Sequence, residues 1–345
     1  MNFNLIHPDF QLNGYPLTAE SLQMLLDSKQ PEEQAIGNFI AEWLDEKPFV
    51  TVQTSGSTGV PKSILLKKTQ MAASAKATSQ YFGLPEKTTA LLCMSVNYIA
   101  GKMMLVRAME CGWHLDTVNP RSNPLDATAK AYDFSAMVPL QVQNSIDQLY
   151  RIKQLIIGGA AVSPVLEKQL QSVSTQMYAT YGMTETITHI AVKKLNHTSG
   201  KNAFEALQGV LFSTDERGCL IIDAPLVTDE KVITNDVVDL LSETRFHWLG
   251  RADFVINSGG VKIHPEQVEE KLATQINALF FIAGIPDERL GEQVVLIIES
   301  KEKFNKKFDF SVLEKYEIPK EIYFISEFVY TETGKINRVE TIKKK

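Results

Sequence analysis

The segment Gln53-Thr54-Ser55-Gly56-Ser57-Thr58-Gly59-Val60-Pro61-Lys62 decides how this chain is read. Its glycines let the backbone turn so that successive amides face an anion, and its hydroxyls add donors. Lys62 then supplies a cation for phosphate oxygens. A Gly/Ser/Thr loop alone is more often a plain turn. Here an apolar run at 49–53 reads as a strand leading into the loop, and strand, loop and lysine together point to a bound anion. From Gly56 the spacing nearly meets the P-loop of ordinary nucleotide hydrolases, but Pro61 stands where its second glycine belongs. Proline removes an amide and fixes the backbone there. Ser63-Ile64-Leu65-Leu66 also reads as a strand, whereas a P-loop opens a helix. The loop is of another kind.

Outward from the loop the pattern alternates. Apolar runs at 49–53, 90–94, 114–118, 134–138 and 154–157 read as strands, with helical stretches at 70–81, 99–111 and 164–171. That alternation predicts a parallel sheet with helices on its faces, whose ligands gather at the carboxyl ends of the strands. Upstream, two helices open the chain. The second starts at Pro31 with Glu32 and Glu33 in its first turn, a favourable start sterically and electrostatically. Ile36, Phe39, Ile40, Trp43 and Leu44 follow as the stripe of a helix lying on a core. Beyond about residue 205, pieces at 218–223, 231–233 and 245–249 suggest antiparallel structure. A smaller unit follows Arg251. It has a helix from Pro265 with Val268, Leu272 and Ile276 on one face, strands at 279–284, 294–299 and 321–325, and a helical piece at 311–316.

The chain has 345 residues, a net charge of −6, 44% hydrophobic and 22% charged residues, which suits about two domains with real cores. The mild acidity argues against nucleic-acid binding. No basic segment followed by an apolar stretch opens the chain, and no apolar run approaches the ~20 residues of a membrane span. Cys93, Cys111 and Cys219 lie far apart, so neither a disulfide framework nor a cysteine zinc site is expected, and the cytoplasm is the natural compartment.

The loop resembles the phosphate-binding signature of the adenylate-forming acyl-CoA synthetase superfamily, and further segments follow in that family's order. Gly158-Gly159-Ala160 resembles the segment lining the adenine pocket, although a strand-end turn would read the same. Tyr181-Gly182-Met183-Thr184-Glu185-Thr186 resembles the family's aromatic-Gly-x-Thr-Glu motif. The resemblance implies that Tyr181 packs at the nucleotide, Thr184 contacts phosphate and Glu185 helps hold Mg²⁺. Thr234-Asn235-Asp236 resembles the family's Thr-Gly-Asp, whose aspartate accepts from both ribose hydroxyls, a task suited to an acceptor-only carboxylate. Asn235 replaces the usual glycine, and asparagine tolerates left-handed backbone better than most residues.

The run from Gly250 to Lys262 matches the family's hinge segment, which makes Arg251 a nucleotide contact and Asp253 the hinge. It also assigns Gly259 and Gly260 to a flexible loop used in the coenzyme A step. The run from Thr331 to Arg338 resembles the C-terminal Gly-Lys-Ile motif, with Lys335 as the catalytic lysine of adenylation. The implied fold is α/β. A large N-terminal adenylate-forming domain (1–250) of parallel-rich sheets with helices is joined by a hinge (251–253) to a small mobile α+β lid domain (254–345). Less chain precedes the phosphate loop than family members commonly carry. The large domain is therefore expected to be shortened at its N-terminus, with the helices at 17–46 covering the exposed sheet.

The implied reaction activates a small carboxylic acid with ATP and Mg²⁺ and passes the acyl group to coenzyme A. Tyr98 stands where the family usually carries an acyl-site histidine, which makes long acyl chains harder to argue. The run from Tyr181 to His189 and the compact architecture most resemble the bacterial o-succinylbenzoate–CoA ligases of menaquinone biosynthesis. Such a substrate needs one carboxylate held while the other reacts, with Lys102, Arg107 and His189 as the clamp candidates. Lys102 and Arg107 also read as helix-surface residues, the preferred reading for Arg107, and His189 as a satisfied strand residue. Another aryl- or short-chain acyl-CoA ligase, or a stand-alone enzyme loading a carrier-protein thiol, would carry the same motifs. Oligomeric state is not legible, and a homodimer is left open.

Overall fold

A computed structural model describes residues 1–54, 62–198, 202–302, 308–330 and 336–345. Among them the dominant feature is a 13-stranded sheet. Its parallel half runs, in spatial order, Gln176–Gly182, Ile152–Ile157, Tyr132–Met137, Thr89–Leu92, His114–Thr117 and Gln11–Leu12, with Tyr15–Pro16 antiparallel at the edge. Thr89–Leu92 and Ile152–Ile157 are mostly apolar, as strands covered on both faces are, whereas His114–Thr117 and Tyr132–Met137 carry polar residues among the apolar ones. Beyond Gln176–Gly182 the sheet continues antiparallel through His189–Lys194, Phe204–Ala206, Arg245–Arg251, Val232–Ser242, Cys219–Asp223 and Leu211–Thr214.

The helix Ile99–Cys111 has Met103 to Met109 buried on every side, because it is enclosed rather than laid on the surface. The helices Ala19–Leu26 and Pro31–Trp43 join the same core through Leu22, Ile36, Phe39, Ile40 and Trp43. Phe49–Thr54 corrects one expectation. It is a strand, but it pairs antiparallel with Lys62–Lys67 as a separate two-stranded sheet, with Thr54 opposite Lys62. The apolar run identifies a strand without naming its partner, and a connection of this length admits only a hairpin.

A second sheet follows the 3-10 turn Ala252–Phe254. It orders Val261–Ile263, Ile256–Ser258, Gly291–Glu299 and Phe280–Asp287, with Glu321–Ile325 parallel beside Gly291–Glu299. Alternating residues feed two cores. Ile282, Val294, Leu296 and Ile298 face the helix Pro265–Leu272 through Val268 and Leu272, while Phe281, Ala283, Val295 and Ile297 meet Phe328 on the other face. The stretch 311–316 forms turns, not the expected helix, since Leu313 is its one buried residue and no apolar stripe holds a helix there. No helix among the described residues is long and apolar enough to cross a membrane.

Candidate active site

Three strands of the large sheet build one polar cluster. Tyr181 comes from the carboxyl end of Gln176–Gly182, Asp236 from Val232–Ser242, and Trp248 and Arg251 from Arg245–Arg251, with Asp236 directly opposite Arg251. The Tyr181 hydroxyl donates to Asp236 Oδ2 at 2.6 Å, and Trp248 Nε1 donates to Oδ1 at 3.2 Å. Arg251 Nη1 lies 3.9 Å from Oδ1, while its Nη2 donates to Asp253 Oδ2 at 3.0 Å. Burial, and then the Asp236 charge, push the Tyr181 phenol far up, so it stays a donor. Asp236 itself is 8% exposed. Its N–H donates to Thr234 Oγ1 at 3.1 Å, and that hydroxyl donates to the Leu220 carbonyl at 2.9 Å. Asn235 lies where the pairing of Val232–Ser242 with Cys219–Asp223 shifts register, yet it is outside the residues of positive φ, so its tolerance of left-handed backbone is not used.

Gly158, Gly159 and Ala160 leave the carboxyl end of Ile152–Ile157, the neighbour of Gln176–Gly182 in the sheet. Gly158 N–H donates to the Met137 carbonyl at 3.1 Å. Thr184 and Glu185 lie on the 3-10 turn Thr184–Thr186 that leaves the adjacent strand, and Glu185 is exposed. The chain folds back tightly here. A Cβ on Gly182 would lie 2.2 Å from the Thr188 carbonyl oxygen and 2.5 Å from His189 Cα, so only glycine fits. The Gly158–Ala160 and Thr184–Glu185 segments thus leave neighbouring strand ends, the place where open α/β sheets bind ligands. Ser55, Gly56, Ser57, Thr58, Gly59 and Lys335 lie outside the described residues. Thr54 and Lys62 end the two facing strands on either side of the loop.

A second cluster is interior. Arg107, on Ile99–Cys111, is 2% exposed and His189 is 5% exposed. Arg107 Nη2 lies 3.4 Å from His189 Nδ1, and His189 Nε2 lies 3.3 Å from Thr78 Oγ1. A guanidinium can only donate, so Nδ1 accepts and Nε2 carries the proton toward Thr78. Thr78 in turn donates to the Ser74 carbonyl at 3.0 Å and accepts from Arg107 Nε at 3.3 Å. Burial lowers Arg107 to about 10, and burial plus the Arg107 charge hold His189 well below 6.5, so the imidazole is neutral. His189 also lines a small cavity of about 20 Å³ with Ala73, Ala77, Val210 and Val227. The surface reading of Arg107 is therefore wrong. A cation can lie inside a helix that is otherwise apolar all round, and the sequence pattern gives no sign of it.

Lys102 and Tyr98 are not part of this cluster. Lys102 Nζ lies 3.6 Å from Glu42 Oε2 and 4.7 Å over the Phe39 ring, and Tyr98 is 66% exposed. Asp253 is exposed on the turn between the sheets, and Gly259 and Gly260, at φ +59° and +82°, make the turn from Ile256–Ser258 to Val261–Ile263. Sequence reasoning missed Thr78 and Trp248. Thr78 carries no motif, whereas Trp248 could have been suspected as a donor-bearing ring three residues before Arg251.

The described residues hold no group of three or more His, Cys, Asp or Glu side chains able to hold a metal on their own.

A model of the AMP-binding enzyme family matches residues 16–206. A 2-succinylbenzoate–CoA ligase of Bacillus cereus is 26% identical over 90% of this chain and 72% of its own length. The structure of an acyl-CoA synthetase (AMP-forming)/AMP-acid ligase II-like protein from Dyadobacter fermentans is 36% identical, covers 95% of this chain and 98% of that one, and superposes with a TM-score of 0.66. The o-succinylbenzoate coenzyme A synthetase of Bacillus subtilis, solved with ATP and magnesium, is 18% identical over 85% of this chain and 69% of that one, with a TM-score of 0.72.

Proposed function

The chain belongs to the AMP-binding enzyme family and is an AMP-forming ligase, and from that premise we propose that it joins o-succinylbenzoate to coenzyme A in menaquinone biosynthesis. The observation that carries the substrate is Arg107, a buried guanidinium with no carboxylate in ion-pair reach among the described residues, set against a neutral His189. An isolated buried cation is costly unless something negative completes it. An aromatic dicarboxylate brings that charge, because one carboxylate is held while the other reacts. Relatives named 2-succinylbenzoate–CoA ligase support the same acid.

Adenylation comes first. A carboxylate oxygen attacks the α-phosphorus of ATP, a P–O bond forms, and pyrophosphate leaves. The coenzyme A thiol, losing its proton, then attacks the acyl carbon and AMP leaves. Both steps ask the protein mostly for positioning and charge stabilisation. Asp236 accepts from the ribose hydroxyls, Tyr181 and the Gly158–Ala160 segment flank the base, and Arg251 adds a cation beside the ribose. Thr54 to Gly59, Lys62 and Thr184 take the phosphates. Lys335 bridges the attacking carboxylate and the α-phosphate, offsetting repulsion between two anions. Glu185 would hold Mg²⁺, which would supply charge neutralisation on the phosphates. Rotation at Asp253 would exchange the lid face carrying Lys335 for the one carrying Gly259 and Gly260.

The test is pyrophosphate release with ATP and coenzyme A against a panel of acids. Turnover on o-succinylbenzoate well above that on benzoate and short-chain acids is the expected result. Activity on benzoate with none on o-succinylbenzoate overturns the substrate.

A further inference from the structure

Trp248 stands apart from the other two tryptophans of the chain. Trp43 and Trp113 fill the core, and their buried indole N–H groups have no partner. The half-buried Trp248 instead aims its N–H at Asp236 Oδ1, 3.2 Å away, while the Tyr181 hydroxyl holds Oδ2 at 2.6 Å. An ionised carboxylate offers about four acceptor sites, two on each oxygen. Tyr181 uses one on Oδ2 and Trp248 one on Oδ1. One site is left on each oxygen, the number a pair of adjacent hydroxyls requires.

The two donors also do what one cannot. With Tyr181 alone the carboxylate could turn about its Cβ–Cγ bond; a second donor on the other oxygen stops that rotation. The strand behind Trp248 is itself held, since its main-chain carbonyl accepts from Gln267 Nε2 at 3.3 Å across the junction with the smaller unit. Binding groups fixed before the ligand arrives recognise it better than groups that must be ordered by it.

We propose that Trp248 is a positioning residue for nucleotide recognition, fixing the Asp236 carboxylate so that its two free acceptor sites face the ribose diol. This rests on Asp236 taking the ribose. The experiment compares kcat/KM for ATP, 2′-deoxyATP and 3′-deoxyATP in wild type, W248F and D236N, with thermal unfolding of each. W248F keeps an aromatic ring and loses the indole N–H. It is expected to unfold within a few degrees of wild type and to lose about tenfold in kcat/KM for ATP, mainly through KM, the scale of one hydrogen bond to a charged group. Its preference for ATP over the deoxynucleotides should shrink several-fold. An equal loss on all three nucleotides, or no loss, overturns the proposal. D236N separates the two levels. If its preference for ATP collapses while that of W248F is intact, Trp248 alone is misassigned. If D236N keeps the wild-type preference, the ribose assignment falls and takes this proposal with it. Should W248F fail to fold, benzothienylalanine at position 248, which replaces the N–H by sulfur at nearly constant volume, is read by the same ratio.

Discussion

Arg107 Nη2 and His189 Nδ1 meet 3.4 Å apart in the interior, a full cation against an imidazole that burial and that same cation keep neutral. Nothing acidic among the described residues balances the charge. Charges left unpaired in a protein interior destabilise it, so a pair of this kind is expected where a ligand supplies the missing sign.

Arg107→Met tests this directly. Removing an unbalanced buried cation at nearly constant volume should leave the melting temperature at or above that of wild type. Turnover of o-succinylbenzoate should fall by about 10²-fold or more in kcat/KM, the scale of losing one member of a buried charged pair. ATP binding should be unchanged. Calorimetry alongside pyrophosphate release checks all three, and full activity in the variant would remove Arg107 from the acyl site.

His189 makes the stability of the protein depend on pH in a defined direction. Burial and the Arg107 charge depress its folded pKa, so as pH falls below about 6.5, the ordinary value of a free imidazole, the unfolded chain takes up a proton that the folded protein refuses. Stability is therefore fully present above that value and is lost on acidification, at up to about 1.4 kcal/mol per pH unit. His189→Gln keeps an acceptor toward Arg107 and a donor toward Thr78 but does not titrate. Between pH 7.5 and 5 its melting temperature should fall less steeply than that of wild type. Parallel curves would show that His189 is free to protonate in the folded protein.

Legibility differed by kind of information. The helix Pro31–Trp43 could be read because periodicity reports which face is apolar, and Ile99–Cys111 because its apolar run is too long for a strand. The partner of Phe49–Thr54 could not, since pairing is a long-range property that a local pattern does not carry. At the site, Asp236, Tyr181 and Arg251 announced themselves through motifs and do converge on one carboxylate. The burial of Arg107 and the part played by Thr78 are not legible in this way: they meet His189 across 82 and 111 residues, and no local composition encodes such a meeting.

Lys335 is predicted to serve one half-reaction. Lys335→Ala should lose at least about 10²-fold in adenylation, the scale of one key electrostatic group. Formation of the thioester from supplied acyl-adenylate should survive far better, because no second anion then approaches the α-phosphate. Stopped-flow measurement of each half-reaction separates them, and equal losses in both would count against the role.

Arg338, three residues beyond Lys335 in sequence, is itself anchored in the smaller unit. Its Nη1 and Nη2 each lie 2.9 Å from one oxygen of Glu269, and its guanidinium stacks 4.8 Å over Phe254 and 5.5 Å over Phe281. Burial pushes Glu269 up and the Arg338 charge pulls it down, with burial the larger effect. Arg338→Met removes the opposing charge and leaves a buried carboxylate with the Ile282 amide, at 2.8 Å, as its one remaining hydrogen bond among the described residues. The expected cost is about 3–5 kcal/mol in urea unfolding near pH 8. Arg338→Lys should recover only part of it, since an ammonium cannot make the two-pronged contact or stack as a plane. The deficit should also depend on pH. A carboxyl whose folded pKa is raised favours the folded state when protonated, so the loss in Arg338→Met should be largest above that pKa and shrink as pH falls toward 4.5. Adenylation should fall with stability in both variants, because a loosened smaller unit no longer presents Lys335. A stable Arg338→Met protein with a pH-independent unfolding midpoint would mean that Glu269 is solvated in the folded state and that Arg338 anchors nothing.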